Sequence, residues 1–391
     1  MGEMLLSQLA LYNARPTLRV DGQQNERIDR LLQSLVLSEQ EGGLSSLRAG
    51  FVNWDSRQGG AAGAAFEDEA LLKLGTELKV YGGEVAAPTE IFRGHISALE
   101  FAADAEGPPR LVAHAEDGLA KARLERRIQT YESQSVADVA RAVAQRAGLT
   151  PQISGVADVT DTWFQCSESD LAFLRRLLRR FGADAQVVAG ELHVSPCDQV
   201  HRNDVELHLH SQLHRVRVVA DLAHQATEVR ITGFDALQGQ AFDGTGSGAA
   251  LGPGQGRTGA SELKRAFQAR EEQPSHVVAQ SQTEARALAQ AAFAARARGF
   301  VRVEGVCEGN PNLRVGTHVA LKDVSPRFDN TYYVTACSQY LDWVSTATNT
   351  TANHLRITRG FNTNQGVSIA RYTSGDRANF SVFLITNGSL S

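Results

Sequence analysis

Over the first hundred residues, apolar and polar positions alternate in short runs broken by glycine-rich turns. Residues 35–37, 47–54, 78–81 and 92–101 read as strands, with turns at Glu41-Gly42-Gly43 and Tyr81-Gly82-Gly83. The period lengthens after residue 118. Val136, Val139, Val143, Ala144 and Ala147 recur as on one helical face behind a Ser135 cap, and Gly148 closes the run. A second helix starts in Ser167-Glu168-Ser169-Asp170. It puts Leu171, Leu174, Leu178 and Phe181 on one face and Arg175, Arg176, Arg179 and Arg180 on the rest, with Gly182 as its stop. Residues 185–194 read as a hairpin turning at Gly190. Strand character returns at 216–219 and 227–234. Residues 239–259 carry too few apolar positions to pack and read as a loop that is flexible or draped over the surface. Residues 283–298 form a helix on the spacing of Ala285, Leu288, Ala289, Ala292 and Phe293. Strands continue to about residue 358, before a C-terminal tail.

A weak internal repeat sets the expected architecture. Leu72-Lys73-Leu74-Gly75-Thr76, followed by Leu78 and Val80, matches Leu313-Arg314-Val315-Gly316-Thr317, followed by Val319 and Leu321. Phe92, Gly94 and Ile96 are aligned with Phe328, Asn330 and Tyr332, and residues 47–55 with 229–235. Gly75, Gly94, Gly316 and Asn330 are residue types that tolerate positive φ, so they are assigned as structural turn positions. The expected fold is a β-rich α+β chain. Two tube-like β-barrel domains (1–117 and 212–360) flank an α+β insert (118–211), with loop 239–259 and helix 283–298 inside the second barrel and a tail at 361–391.

Composition narrows the function. Of 391 residues 42% are hydrophobic and 21% charged, which excludes a disordered chain, and a net charge of −5 argues against stable nucleic-acid binding. No run reaches the ~18 apolar residues of a membrane span, and Glu3 stands where a secretory leader carries positive charge. Cys166, Cys197, Cys307 and Cys337 are too dispersed for a zinc knuckle or a disulfide scaffold and are expected as buried or half-buried thiols.

Several segments together resemble the phage late-control D family, which includes the baseplate hubs of contractile tails and the hub portion of VgrG spikes. They are the Leu-x-x-Gly-Thr turn before Ile91-Phe92-Arg93-Gly94, the Ser135–Asp138 helix start, Glu168–Arg176 running on to Leu192-His193-Val194, and Gly309–Thr317 leading to Phe328–Val334. The resemblance spans about residues 10–360 in family order. It implies a non-enzymatic homotrimer that joins a hexameric inner tube protein to a trimeric spike protein among other baseplate proteins. Such a part is assembled in the cytoplasm and then incorporated into a phage tail or injection particle. No needle or oligonucleotide-binding domain follows residue 360, so the spike is expected to be another polypeptide. Phe380, Val382, Phe383, Leu384 and Ile385 are nominated as its contact. The alternative is a last strand that completes the chain's own barrel.

No catalytic, cofactor or metal site is assigned. His201, His208, His210 and His214 cluster without a third ligand type at fixed geometry. Residues 252–258 lack the lysine of a phosphate loop, since Arg257 stands in its place. Glu67-Asp68-Glu69 and Glu116-Asp117 show no opposed placement of the glycosidase kind. Arg175, Arg176, Arg179 and Arg180 are nominated as a subunit contact beside their reading as a solvated face. The rival functions are a tail-associated cell-wall hydrolase, for which the length leaves no catalytic domain, and a carbohydrate-binding adhesin, which would cluster aromatics where this chain scatters Trp54, Trp163 and Trp343.

Overall fold

Period-two alternation becomes burial along the first strands: Leu35, Leu37, Leu47, Ala49, Phe51, Leu78 and Val80 all point into one core. The computed structural model describes residues 12–56, 62–84, 87–105, 107–235, 238–248, 252–342, 355–357, 367–369, 378–387 and 389–390. Its first half comprises β1 (Tyr12–Val20), α1 (Glu26–Leu31), β2 (Leu32–Gln40), β3 (Ser46–Val52), β4 (Glu77–Glu84), β5 (Thr89–Ala102) and β6 (Arg110–Asp117).

The insert pairs β7 (Arg126–Ser135) with β9 (Thr160–Ser169), and lays β8 (Thr150–Ile153) beside β11 (Glu191–Pro196) and β10 (Ala183–Val188). Its helices are α2 (Val136–Ala147) and α3 (Asp170–Arg180). Ser135 and Asp138 form a full capping box on α2, Gly148 ends it in the left-handed region at φ 73°, and Ser169 caps α3.

The second half comprises β12 (Asp204–His208), β13 (Leu213–Ala220), β14 (Glu228–Asp235), β15 (Gln240–Gly246), α4 (Gly259–Phe267), α5 (Gln282–Arg298), β16 (Val301–Glu308), β17 (His318–Lys322), β18 (Thr331–Asp342) and β19 (Ala378–Asn387).

The chain is β-rich, as expected, but its described strands make no closed barrel. One 13-stranded sheet runs β13-β16-β19-β18-β2-β3-β6-β5-β4-β1, with Gln23–Gln24 beyond β1, β17 on β18, and β12 on β17. The two halves of this sheet repeat. The order β2-β3-β6-β5-β4 is that of β13-β16-β19-β18-β17, strand for strand in chain order and all antiparallel.

Irregularities recur at matching places. The β5–β6 register shifts between Ile96 and Ala98, and β18–β19 between Val334 and Ala336. The β2–β3 register shifts between Leu32 and Ser34, and β13–β16 between Leu213 and Arg215. The Leu-x-x-Gly-Thr turns also coincide. Gly75 (φ 85°) donates to Ile96 O at 2.8 Å, and Ile96 returns a bond to Thr76 O at 2.9 Å. Gly316 (φ 88°) donates to Val334 O, and Val334 returns one to Thr317 O, both at 3.0 Å. The repeat ends at the outer strands, because β1 is antiparallel to β4 whereas β12 is parallel to β17.

This register corrects several expectations. Ile96 corresponds to Val334, not Tyr332, so the sequence alignment of that strand slipped by two residues, a shift that keeps every side chain on its face. The counterpart of β3 is β16, not residues 229–235. Gly94 and Asn330 lack positive φ. Gly94 is needed because a Cβ there would lie 2.1 Å from Glu116 O across the ladder, and Asn330 clamps the backbone of Gln255 through both atoms of its amide.

Segment 239–259 is not a loop throughout. Residues 240–246 form β15, whose Gly244 and Gly246 let its backbone lie on α5, where a Cβ would come within 2.3 and 2.2 Å of helix backbone atoms. Helix α5 and β14 share the insert's core through Leu288, Phe293, Val229 and Ile231, and Val205 and Leu207 of β12 join the core of the second half. Residues 378–387 form β19, bonded on both edges to β16 and β18. Among the cysteines only Cys166 is exposed, against expectation.

Candidate assembly interface

Inside the chain, the two halves meet where β18 (Ala336–Asp342) pairs with β2 (Gln40–Ser34). This junction is fully built. The Glu39 carboxylate on β2 is buried and accepts from Arg314 Nε at 2.6 Å and from its Nη2; Arg314 sits in the turn before Gly316. Burial alone would raise the Glu39 carboxyl, but Arg314 against it holds it below its usual range. Burial lowers Arg202, 3.9 Å from the same carboxylate, to about 10. Ser38 and Ser338 hydroxyls meet at 3.1 Å, Glu41 N–H bonds the bulged Thr335 O at 2.8 Å, and Arg298 pairs with Glu41 at 2.5 Å while stacking over Tyr333.

The insert closes over one end of this junction. Asp184 Oδ1 accepts from Gly42 N–H at 2.5 Å and Arg175 Nε donates to Gly42 O. Burial pushes both Asp184 and Asp117 up to about 6.

The repeated sheet contains the same two edges a second time, unjoined. The counterpart of the β18 edge is β5 beyond Ile96, and that of β2 is the outer edge of β13; among the described residues no strand pairs with either. Two apolar side chains stand out of place at the β5 edge. Phe101 is 62% exposed, and Leu74 is 63% exposed although its counterpart Val315 is fully buried.

The nominated residues are scattered through this frame. Gly75 and Gly316 sit at the two matching turns. Three of the four arginines on α3 are engaged within the chain: Arg175 on Gly42, Arg176 with Glu168 at 2.5 Å and Phe164 O at 2.9 Å, and Arg180 with the buried Glu284 at 2.6 Å. Arg179 is exposed. The backbone of Phe380, Val382, Phe383, Leu384 and Ile385 lies within β19. The acidic groups do not face one another: Glu67 takes Asn53, Asp68 takes Arg27, Glu116 takes Arg123, and Asp117 caps a buried turn at Leu119 N–H.

His208 lies between Glu206 and Asp323, whereas His201 meets Asp204 and His318. Sequence reading missed His318, which is distant along the chain. Among the described residues no helix is long and apolar enough to cross a membrane.

Solved structures share this fold at low identity. The 43 kDa tail protein of prophage MuSo2 from Shewanella oneidensis is 12% identical, with 95% of this chain and 97% of that chain covered and a TM-score of 0.59. A tail protein from Neisseria meningitidis MC58 is 10% identical, with 95% of both chains covered and a TM-score of 0.60. The E. coli c3393 protein, a type VI secretion system component described as structurally similar to the bacteriophage T4 tail proteins gp27 and gp5, is 11% identical. There 95% of this chain and 77% of that chain are covered, at a TM-score of 0.56. The fold is thus that of phage tail proteins and a type VI secretion component. No curated protein matches the chain in sequence. Residues 58–342, well over half of the chain, match the family model described as the Alg8 N-terminal domain, and the chain belongs to that family.

Proposed function

We propose that the chain is a non-enzymatic structural adaptor of a contractile tail or injection particle. Copies join edge to edge into a ring, and β13 of one copy pairs with β5 of the next as β2 pairs with β18 within a copy. The observation that carries this reading is the repetition of the sheet with one junction built and its counterpart unpaired among the described residues.

Carrying the inner register across, Leu99 would face Ala220, Glu100 would face Val219 and Phe101 would face Val218 of the neighbour. The exposed Phe101 would then become one of the aromatic and β-branched pairs that stabilise sheets by roughly 0.2–1 kcal/mol each, and free edges prone to indiscriminate pairing would be used up. The contact is head to tail, so the rotation must close to avoid a filament.

Three copies is the number implied by the late-control D resemblance. It brings six equivalent half-sheets into one ring, completing by assembly the two tube-like domains that the single chain leaves open. A ring with sixfold-like repetition and true threefold symmetry suits the junction between a hexameric inner tube and a trimeric spike. The acidic pairs Glu67–Glu69 and Glu116–Asp117 are engaged separately and supply no hydrolytic pair. Docking of a separate spike on residues 380–385 would use a strand whose backbone is already held on both edges, so it would involve a side-chain face of β19 and not a free tail. Arg179 is the member of its arginine cluster best placed for a neighbouring subunit. Native mass spectrometry of the full chain at micromolar concentration tests the reading: three copies are expected, and a true six-copy ring or a monomer would refute it.

A further inference from the structure

The fold gives one histidine of the 201–214 cluster the ligands that the sequence did not. His201 and Asp204 lie where the chain leaves the insert and starts β12; His318 opens β17, and Asp204 and His318 are register partners across the β12–β17 pair. One ligand atom from each of the three lies within 4.8 Å of the others. His201 Nε2 and Asp204 Oδ2 are 3.0 Å apart, near the ~3.3 Å that separates two ligands of a tetrahedral ion with bonds of about 2.0–2.1 Å.

The third ligand is already oriented. His318 Nε2 lies 3.1 Å from the Val200 carbonyl, and a proton donated there leaves the lone pair on Nδ1, the backbone-anchored arrangement that metal-binding imidazoles use. The His201 and His318 rings stack at 4.2 Å and 10°. Parallel rings do not converge on one point; His201, with half of its side chain exposed, has the room to turn onto the ion.

We propose that His201, Asp204 and His318 bind one divalent transition-metal ion of the zinc class, with water as the fourth ligand. Two imidazoles and a carboxylate select zinc-like ions over magnesium or calcium, which take oxygen ligands. The ion would staple the segment leaving the insert to β17, and so fix the insert on the second half of the sheet.

Calorimetric titration of the chelator-treated full chain with Zn2+ tests this. One ion per chain is expected, and Asp204→Asn and His318→Ala should each weaken binding about tenfold or more. His208→Gln, whose ring is held between Glu206 and Asp323 outside the set, should leave it unchanged. Asp204 is an exposed side chain, so its amide variant keeps the test valid if His318→Ala disturbs packing. Absence of saturable binding, binding undiminished in Asp204→Asn, or loss in His208→Gln alone would overturn the assignment.

Discussion

Alanine at three glycines separates three physical reasons for glycine, with costs that follow from the structure. At Gly75 an added Cβ meets nothing within 4 Å, so the cost is confined to holding an L-residue at φ 85°, about 1 kcal/mol. Gly316 has the same conformation at the matching turn, φ 88°, but a Cβ there lies 2.7 Å from Val200 Cγ1. Crowding of that kind adds about 1–3 kcal/mol, less where the side chain can turn aside. Gly94 has no unusual φ, yet its Cβ would sit 2.1 Å from Glu116 O and 2.6 Å from Glu116 C. Both contacts are backbone atoms of the β5–β6 ladder, so relief requires breaking the ladder, and the loss should exceed about 4 kcal/mol. Urea denaturation followed by far-ultraviolet circular dichroism gives each value from the midpoint at a common slope. The predicted order is Gly75→Ala, then Gly316→Ala, then Gly94→Ala. Gly94→Ala no costlier than Gly75→Ala would refute the close-approach argument, and a neutral Gly75→Ala would refute the shared left-handed turn.

Truncation after Gly360 removes β19, which has a ladder on each edge with β16 and β18. At a net value of roughly 0.5–1.5 kcal/mol per hydrogen bond, two such ladders rival the whole stability of a domain. The second half should lose cooperative unfolding, and an unchanged thermal midpoint would contradict the strand's place in the sheet. Asp117 and Asp184, raised by burial to about 6, bind protons in the folded chain that the unfolded chain has already released. The contribution of these two groups to stability should therefore fall as pH rises from about 4 to 6, by up to ~3 kcal/mol per group. The stability difference between the native chain and Asp184→Asn in chemical denaturation should shrink as pH rises over this window, and a difference that grows would show the sign to be wrong.

Local structure was legible where one residue type does one job. The Ser135 cap, the Gly148 and Gly182 stops and the Gly190 turn lie where the sequence puts them, whereas the start read as a capping box over Ser167–Asp170 is capped by Ser169. The repeat was legible through its two Leu-x-x-Gly-Thr turns, because a left-handed residue followed by Thr is a local signal. Its register was not. Pairing β3 with residues 229–235 instead of β16 reflects how alike short half-buried strands look when nothing local marks their partner. The bulges that fix the true match at Ile96 and Val334 leave no residue signature. Gly94 was singled out but given the wrong reason, since close approach depends on Glu116 of another strand. His318 escaped notice for the same cause: its meeting with Asp204 exists only once β12 lies beside β17.

In the proposed ring the β5 edge of one copy, unpaired among the described residues, receives β13 of the next in the register of the junction inside the chain. The most direct test places cysteines at Phe101 and Val218, with Cys166→Ser removing the exposed native thiol, and oxidises the full chain mildly. Within one chain these positions lie on well-separated strands of the sheet. A covalent trimer is expected on a non-reducing gel, reversed by reductant and absent from either single-cysteine chain. A chain that stays monomeric, or that links into open polymers without a trimer, would contradict it.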